Sequence, residues 1–370
     1  QHITYEGQLS LKTQKVKDVI ERIGHQNPDL VKPALGPKEP WAYRNKMQMP
    51  VGGSKGDIQM GFYAMGSHDI VQGTNCPIQD EGNNIIAQAC YQIAKEFDIE
   101  PYDEHTGKGI LRHVIGRIGQ SGWMIILVTA TEQLPNKEKW VEKLIERIPQ
   151  VETIVHNVNN KRTNVILGPK NHILYGDGTI TDHIKDLQFT LSPHSFFQVN
   201  PEQTTVLYDQ ALAYADLKGD ETVIDAYCGT GTISLFLAHK AKHVIGIEIV
   251  EPAIINAREN AQRNGYDNTE FIVADAAVEM PKLYKAGVRP DVIVFDPIRA
   301  GCKEEVLTSA AGMEPKRIVY VSCNPATMAR DIEILTHYGY ELQEVQPVDM
   351  FPMTAHVEAV ALLTRSKATQ

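Results

Sequence analysis

The sequence predicts an α/β protein whose second half is a doubly wound, mainly parallel sheet, with an α+β domain before it. From residue 197 onward, short apolar runs alternate with helix-like segments, which is the pattern of a doubly wound sheet. The last two apolar runs, 340–346 and 356–363, have no helix between them and should form a terminal antiparallel hairpin. Residues 35–190 lack this alternation, which indicates a separate α+β domain.

The first half of the chain predicts one helix, a break and then mixed elements. Residues 6–24 have the apolar spacing of an amphipathic helix ending at Gly24, and residues 27–56 are rich in proline and glycine. The remaining predicted elements are strands at 58–65, 110–119, 123–130, 151–158 and 163–168, helices at 83–97 and 136–147, and a strand-and-turn segment at 172–191.

The second half predicts strands and helices in regular alternation. The strands are 222–226, 243–248, 270–274, 291–296 and 318–323, and the helices are 201–216, 231–240, 252–264, 303–312 and 326–337. Ligands of open α/β sheets bind beyond the carboxyl ends of the parallel strands, so the residues at those ends are the first candidates for function.

Composition narrows the classes of function. The chain is 42% hydrophobic and 22% charged, as globular proteins are, with no signal peptide and no apolar run of ~18 residues that could span a bilayer. Its five cysteines form no CxxC pair, which favours a reducing cytoplasm over a disulfide framework. A net charge of -10 argues against purely electrostatic nucleic-acid binding. Basic residues cluster at 12–46 and 108–117, for which solvated faces and RNA contact are equally good explanations.

Five carboxylates and one cysteine fall at the expected ligand edge of the sheet. They are Asp225, Glu248, Asp275, Asp296 and Cys323 at the ends of successive strands, and Glu358 at the start of the last strand. Packing alone does not explain so many polar groups at one edge.

A glycine-rich turn, DAYCGTGT, follows the first strand of this sheet. Gly229 and Gly231 let the backbone approach a ligand closely, and Glu248 is placed to bind a ribose diol. Asp225 would repel a pyrophosphate but suits a cationic amino acid, so a methionine sulfonium cofactor fits better than NAD. A plain strand-to-helix turn is the alternative.

The candidate nucleophile is Cys323, which ends an apolar strand and leads into Asn324-Pro325 at the ligand edge. The final antiparallel strand is expected beside the fifth parallel strand, which would bring Glu358 next to Cys323. A nucleophile with a neighbouring base is a mechanistic pair. The alternatives are an inert core cysteine and an exposed carboxylate on a terminal strand.

Two further polar residues have both a functional and a structural explanation. Asp296 precedes a proline and either orients a base or amine near the methyl donor or simply ends a strand. Gln198, in SFFQVNP, either recognises a base or the cofactor or lies in a hydrophobic staple before a helix.

Several motifs occur together in one order. They are SFFQVNPEQ (195–203), DAYCGTGTISLFLA (225–238), GIE (246–248), FDPIRAG (295–301), VSCNPATMARD (321–331) and DMFPMTAHVEAVALL (349–363). With GILRHVIGR (109–117) and TNVILG (163–168), they resemble the RNA 5-methyluridine methyltransferases, especially the bacterial 23S rRNA (uracil-5-)-methyltransferases. One departure is Ile298, which replaces the second proline of the family's Asp-Pro-Pro-Arg.

The resemblance implies a class I methyltransferase sheet, S-adenosyl-L-methionine as methyl donor, and an RNA partner, most naturally 23S rRNA loops with a flipped uridine. It implies Cys323 as nucleophile, Glu358 as base, and cofactor contacts from Gln198, Tyr227, Glu248, Asp296 and Asp275.

The resemblance also implies a domain layout and a metal ligand. Residues 1–34 would pack on a catalytic domain at 191–370, and residues 35–190 would form an inserted RNA-binding domain. Cys76, in NCPIQ, resembles the fourth ligand of a four-iron four-sulfur cluster whose other ligands are absent from this sequence. We expect a cytoplasmic monomer with no membrane partner.

Three other functions stay open on the sequence. The chain could modify tRNA uridine instead, or methylate a protein or small molecule with Cys323 only structural. It could also be an RNA-binding factor that keeps the methyltransferase fold without turnover.

Overall fold

The computed structural model describes residues 2–366, which divide into two compact units. Unit 1 joins the residues up to Pro40 to those from Asn200 onward, and unit 2 is the continuous segment Trp41–Val199. The chain therefore leaves unit 1 after its first helix and returns to it for the second half.

Both boundaries differ from the expected ones after residues 34 and 190. Leu35 belongs to unit 1, because its N–H donates to the Pro347 carbonyl at 3.0 Å. At the other boundary, the Val199 carbonyl accepts from the Asn45 N–H at 2.9 Å, which ties the residues before position 200 to unit 2.

The first helix, α1 (Tyr5–Arg22), is part of unit 1. The Thr4 side chain caps it by accepting from the Gly7 N–H at 3.2 Å. Val16 and Ile20 are fully buried in the same apolar core as the second half of the chain. Burying each of these side chains contributes about 1.5–3 kcal/mol, so the core holds α1 on the rest of unit 1.

Unit 2 is an α+β unit. Its elements are β1 (Lys46–Ser54), β2 (Asp57–Tyr63), β3 (Ile70–Gln72), α2 (Glu81–Glu96), β4 (Leu111–Ile118), β5 (Trp123–Thr129), α3 (Lys137–Arg147), β6 (Val151–Val158), β7 (Lys170–Tyr175), β8 (Ile180–Ile184) and β9 (Leu187–Leu191). Seven strands form one sheet in the order β3-β2-β1-β4-β5-β6-β7, and β8 pairs with β9. The unit has its own apolar core, in which Trp140 of α3 and Ile86 of α2 are fully buried.

Strand β1 lies inside the proline- and glycine-rich segment 27–56, for which no strand was predicted, whereas the boundary between the units after Pro40 does fall within this segment. Residues 46–50 pair with β4 and residues 51–54 pair with β2. Pro50 therefore sits where β1 changes partner and is paired on one side only, which is where a strand tolerates proline.

The strand predicted at 163–168 is absent, since this segment is irregular in the structure. The Asn159 side-chain amide donates to the carbonyls of Val165 and Ile166 at 2.7 and 3.0 Å. The Asn157 amide donates to the Gly168 carbonyl at 2.8 Å. Side chains thus satisfy the backbone groups that a strand would have paired.

The second half of the chain supplies the rest of unit 1. Its elements are α4 (Pro201–Ala215), β10 (Thr222–Asp225), α5 (Thr232–Ala238), β11 (His243–Glu248), α6 (Glu251–Arg263), β12 (Thr269–Val273), α7 (Ala276–Lys285), β13 (Val292–Phe295), α8 (Glu304–Gly312), β14 (Arg317–Ser322), α9 (Pro325–His337), β15 (Tyr340–Val348) and β16 (Glu358–Arg365). Helix α7 was not predicted, because Pro281 lies inside it and hides the helical pattern.

The sheet of unit 1 has the strand order β12-β11-β10-β13-β14-β16-β15. Strands β10 to β14 are parallel to one another, and β16 is antiparallel to both β14 and β15. The predicted α/β class and the terminal antiparallel hairpin are confirmed. The strand order reverses between β10 and β13, and such a reversal opens the crevice in which doubly wound sheets bind ligands.

Candidate active site

The strand ends of unit 1 bring the predicted site residues to one edge of the sheet. Asp225 and Glu248 are the last residues of β10 and β11, Asp296 follows β13, and Cys323 follows β14. Glu358 begins β16, which runs in the opposite direction and so starts at the same edge. Asp275 follows β12 and caps α7.

Cys323 and Glu358 are neighbours across two paired strands. Ser322 is paired with Ala359, so the next residue on β14 and the preceding one on β16 face each other in register. Glu358 is only 5% exposed, and Cys323 is half-buried. The thiol and the carboxyl are therefore both partly or fully shielded from solvent at the ligand edge.

Burial and like charge raise the pKa of both groups. Burial, followed by repulsion from Asp296, raises the pKa of Glu358 to about 8, and Arg299 only partly offsets this. Burial together with the Glu358 and Asp296 carboxyls also raises the pKa of the Cys323 thiol. Glu358 is therefore a much stronger base, once ionised, than an ordinary carboxylate.

Asp296 and Asp225 continue the series of carboxyls from Glu358 towards the glycine-rich turn. These three carboxyls, Glu358, Asp296 and Asp225, form an acidic row. Burial, with repulsion from Asp225, raises the pKa of Asp296 to about 7. Burial raises the pKa of Asp225 to about 6, although the Ser234 hydroxyl donates to it at 2.6 Å. A row of carboxyls that repel one another suits a ligand carrying positive charge.

The glycine-rich turn holds the Glu248 carboxylate in place. The Gly229 N–H donates to Glu248 Oε2 at 3.3 Å, and the Val250 N–H donates to Oε1 at 2.9 Å. Gly229 has φ 54°, and a side chain there would point into open space. The backbone of the turn is thus accessible to a ligand that also reaches Glu248.

Two predicted cofactor contacts already have protein partners. Asp275 accepts from the Ala277 N–H and forms a 2.9 Å ion pair with Lys303, which holds the pKa of this carboxyl below its usual range. Tyr227 is half-buried, and burial beside Cys302 raises the pKa of its hydroxyl. Their contact with a cofactor stays a prediction.

The sequence analysis missed a buried network next to Tyr227. The Tyr320 hydroxyl donates to Asp331 Oδ2 at 2.5 Å, and the Cys302 N–H donates to the same oxygen at 2.7 Å. Arg330 binds the other Asp331 oxygen at 2.6 Å and the Ala300 carbonyl at 3.0 Å. The network fixes the loop after Asp296 against α9. The motif VSCNPATMARD contains two residues of this network, Arg330 and Asp331, but the sequence alone gave them no role.

Gln198 lies in unit 2, so the strand-end cluster of unit 1 does not include it. It is half-buried, just before the boundary between the units. Its predicted role as a base or cofactor contact is not tested by the geometry of either unit.

The family model for tRNA (uracil-5-)-methyltransferases matches residues 126–366 of the chain. A protein of Bacillus cereus described as "Uncharacterized RNA methyltransferase" is 53% identical over 367 residues, covering 99% of this chain and 80% of that protein. A similarly described protein of Clostridium acetobutylicum is 49% identical over 371 residues, covering 99% and 80%. The crystal structure of Pyrococcus abyssi tRNA (uracil-54, C5)-methyltransferase in complex with S-adenosyl-L-homocysteine gives a TM-score of 0.80 at 27% identity, over 98% of this chain and 84% of that one.

The chain belongs to the tRNA (uracil-5-)-methyltransferase family. It is an S-adenosylmethionine-dependent methyltransferase whose relatives act on RNA. The predicted methyltransferase class and cofactor are therefore confirmed. The acidic row and the open turn at Gly229 fit a ligand with sulfonium and ammonium charges, which the cofactor carries.

The methyltransferase does not form a four-cysteine cluster site from the residues that the structure describes. Among residues 2–366, no group of three or more His, Cys, Asp or Glu side chains could hold a metal ion. Cys76 is half-buried, and its backbone binds the Asn84 side chain. A single thiol does not fit a four-iron cluster, which needs four cysteine ligands.

The basic segments of the methyltransferase contain both buried and exposed side chains. Arg112 and Arg117 are 6% and 3% exposed, and Lys12 is 4% exposed. Burial lowers the pKa of His113 to about 4, so this ring is neutral at pH 7. Lys32, Lys38 and Lys108 of the same segments are exposed, so solvated faces and RNA contact both stay predictions for these side chains. None of the helices within residues 2–366 has the length and apolar character needed to cross a bilayer.

Proposed function

We propose that this methyltransferase transfers a methyl group to carbon 5 of a uridine in 23S rRNA through a covalent bond between Cys323 and the base. The observation that supports this most is the neighbouring position of Cys323 and Glu358 at the ends of β14 and β16. A nucleophile beside a base of raised pKa is what such a reaction requires.

The chemistry begins with the weakness of carbon 5 as a nucleophile. The Cys323 thiol gives its proton to solvent, and the sulfur adds to carbon 6 of uracil, which places the electron pair of the ring double bond on carbon 5 as an enolate. When bound, the cofactor would supply an electrophilic methyl group: carbon 5 would bond to the methyl carbon as the bond from that carbon to the sulfonium sulfur breaks, and the electron pair of that bond would leave with the sulfur as a neutral thioether. The base must leave its stack for sulfur and methyl donor to reach it together.

Glu358 then resolves the covalent bond. Its carboxylate takes the remaining proton from carbon 5, the ring double bond re-forms, and the bond between carbon 6 and sulfur breaks to release the Cys323 thiolate. A pKa of about 8 matches this base to neutral or slightly alkaline conditions. Asp296, the carboxyl of the acidic row that interacts with Glu358, would orient the base or the methyl donor.

The cofactor would lie along the acidic row. Glu248 would bind the ribose diol, and Asp225 would face the positive charge of the amino acid part. The remaining predicted contacts are Tyr227, Asp275, near the adenine, and Gln198. Asp275 must share its carboxylate with Lys303 to take this role.

Two variants test the mechanism. Cys323→Ala should abolish methyl transfer to total RNA while cofactor binding remains, because the variant keeps the acidic row. Glu358→Gln should trap a covalent RNA adduct, seen as a shifted band on a denaturing gel, and Glu358→Gln combined with Cys323→Ala is the control that should lose the band. Full turnover by Cys323→Ala would mean that the cysteine is structural, and cofactor binding without turnover by the wild type would mean an RNA-binding factor.

The choice of 23S rRNA depends on the resemblance of Cys76, in NCPIQ, to the cluster-bearing ribosomal branch. A tRNA substrate is the second candidate, because the Pyrococcus abyssi structure with a TM-score of 0.80 is of a tRNA methyltransferase. Mapping 5-methyluridine in rRNA and tRNA from a deletion strain decides between them. Loss from tRNA alone would overturn the ribosomal proposal. A monomeric, cytoplasmic enzyme also stays our prediction.

A further inference from the structure

Unit 2 contains a cleft of about 330 Å³ that the proposed reaction does not use. Its walls come from the turn between β2 and β3, the loop 101–110 before β4, and the irregular segment 163–166. All of these residues belong to the same unit, so the shape of the cleft is a property of unit 2 itself.

Two aromatic rings line the cleft and are held by neighbours. The rings of Tyr63 and His68 stack with centroids 4.9 Å apart and an angle of 20° between their planes. Glu104 accepts from His68 Nδ1 at 2.8 Å, which fixes that ring. Tyr63 is 43% exposed, so the stacked pair offers a flat surface to a ligand.

A third ring, that of Tyr102, lines the cleft under a fixed cation. The Arg112 guanidinium lies 4.3 Å from the centre of the Tyr102 ring. Arg112 also donates to the carbonyls of Asn159 and Lys161 at 2.6 and 2.7 Å, so its position is set by the backbone of the neighbouring loop. The cleft therefore combines flat rings with a rigid wall, as in sites that hold single unstacked bases.

The charged side chains that line the cleft determine which kind of ligand it can bind. Asp69, Asp103 and Glu104 all line the cleft, whereas Arg112 directs its donors to backbone carbonyls. His113, also in the lining, is neutral at pH 7 because burial lowers its pKa to about 4. Carboxylates repel a phosphate but accept hydrogen bonds from the amino groups of a base.

We propose that this cleft binds an unstacked, amino-bearing base of the substrate RNA, at a nucleotide other than the methylated uridine. The proposal deepens the proposed function and shares with it the assumption that RNA is the substrate. The aromatic pair supplies stacking, and the carboxylates accept from the exocyclic amino group of adenine, cytosine or guanine. The cleft would thereby fix which loop of the RNA offers its uridine to the catalytic unit.

The test uses the full chain and two labelled probes, an adenosine tetranucleotide and a uridine tetranucleotide, with binding followed by fluorescence anisotropy. The wild type should prefer the adenosine probe. Tyr63→Ala should bind it roughly tenfold more weakly, since base–aromatic stacking contributes that much on truncation, whereas Tyr63→Phe should bind like the wild type. Unchanged binding by Tyr63→Ala, or equal binding of the two probes by the wild type, would overturn the proposal.

The adenosine probe contains no uridine, so its binding does not depend on whether methyl transfer occurs. Wild-type enzyme that binds the probe but never methylates uridine would refute the proposed function and leave the cleft intact. With an active RNA substrate, Tyr63→Ala should raise KM about tenfold and leave kcat unchanged. If Tyr63→Ala melts early, His68→Ala takes its place, with the same loss expected and an unchanged affinity counting against the proposal.

Discussion

The pKa of each carboxyl group in the acidic row is set by its burial and by the groups next to it. Glu358 and Asp296 are ordinary carboxylic acids in the sequence, yet burial and mutual repulsion raise their pKa values to about 8 and about 7. The acid nearest the nucleophile is thus the strongest base of the row once ionised.

The pH dependence of methyl transfer follows from this. Glu358 must be ionised to accept the proton from carbon 5, so kcat should rise with pH through about 8, and the raised pKa of Cys323 acts in the same direction. Single-turnover transfer of a radiolabelled methyl group between pH 6 and pH 9 measures this profile.

The variant Asp296→Asn distinguishes titration of Glu358 from a general effect of pH on the enzyme. In Asp296→Asn the repulsion that raises the Glu358 pKa is lost, so the rising limb should move to lower pH, even though the rate falls. A flat profile for the wild type, or an unmoved limb in the variant, would show that Glu358 is not the titrating base.

The sequence predicted which residues meet at the ligand edge but not what else they touch. Strand ends can be located from local pattern, and parallel strands bring their ends together, so Cys323 and Glu358 could be placed. The ion pair of Asp275 with Lys303 and the network around Asp331 depend on loops that pack only in the folded chain. Local sequence does not specify such contacts.

Among the elements, helix α1 holds a loop that lies far from it along the chain. Lys12 forms a buried 2.6 Å ion pair with Asp349, and Lys12 Nζ also donates to the Phe351 carbonyl at 3.1 Å. Lys15 donates to the Ala355 carbonyl at 3.0 Å. The helix therefore braces the loop that leads from β15 to Glu358.

We expect Lys12→Met to destabilise the protein by about 3 kcal/mol, because it leaves the buried Asp349 carboxylate unpaired. Urea denaturation measures the change. Lys17→Met on the same helix is the control and should lie within about 0.5 kcal/mol of the wild type. Equal stabilities for the two variants would mean that the buried pair does not hold the loop.

Elements with a regular apolar pattern were predictable, whereas two elements with a proline in their interior were not. Helix α1 and strands β10 to β14 follow their expected ranges closely. Strand β1 and helix α7 were missed because Pro50 and Pro281 contradict the local rules, and tertiary pairing overrides those rules.

On the scale of the molecule, the two units differ in how the chain builds them. Unit 2 is one continuous segment with its own apolar core, and its ends are joined by the hydrogen bond from Asn45 to Val199. Unit 1 is discontinuous, because α1 is separated from the rest of its core by the whole of unit 2.

A fragment of residues 41–199 should therefore fold alone and melt in one cooperative transition, followed by circular dichroism. A fragment of residues 200–370 is the comparison. It lacks Val16 and Ile20 of the shared core and should melt at a lower temperature than the same unit in the full chain. A non-cooperative 41–199 fragment would contradict the division.

The ion pair between Lys12 and Asp349 joins residues 337 positions apart in the chain. On the ribosome, the helix carrying the lysine emerges first, and its acidic partner emerges only after the whole of unit 2 has been made. Until then the lysine has no counter-charge and the loop before Glu358 has no brace. A polypeptide terminated before β16 would carry the cysteine without its base, so the proposed chemistry requires β16 to have left the exit tunnel.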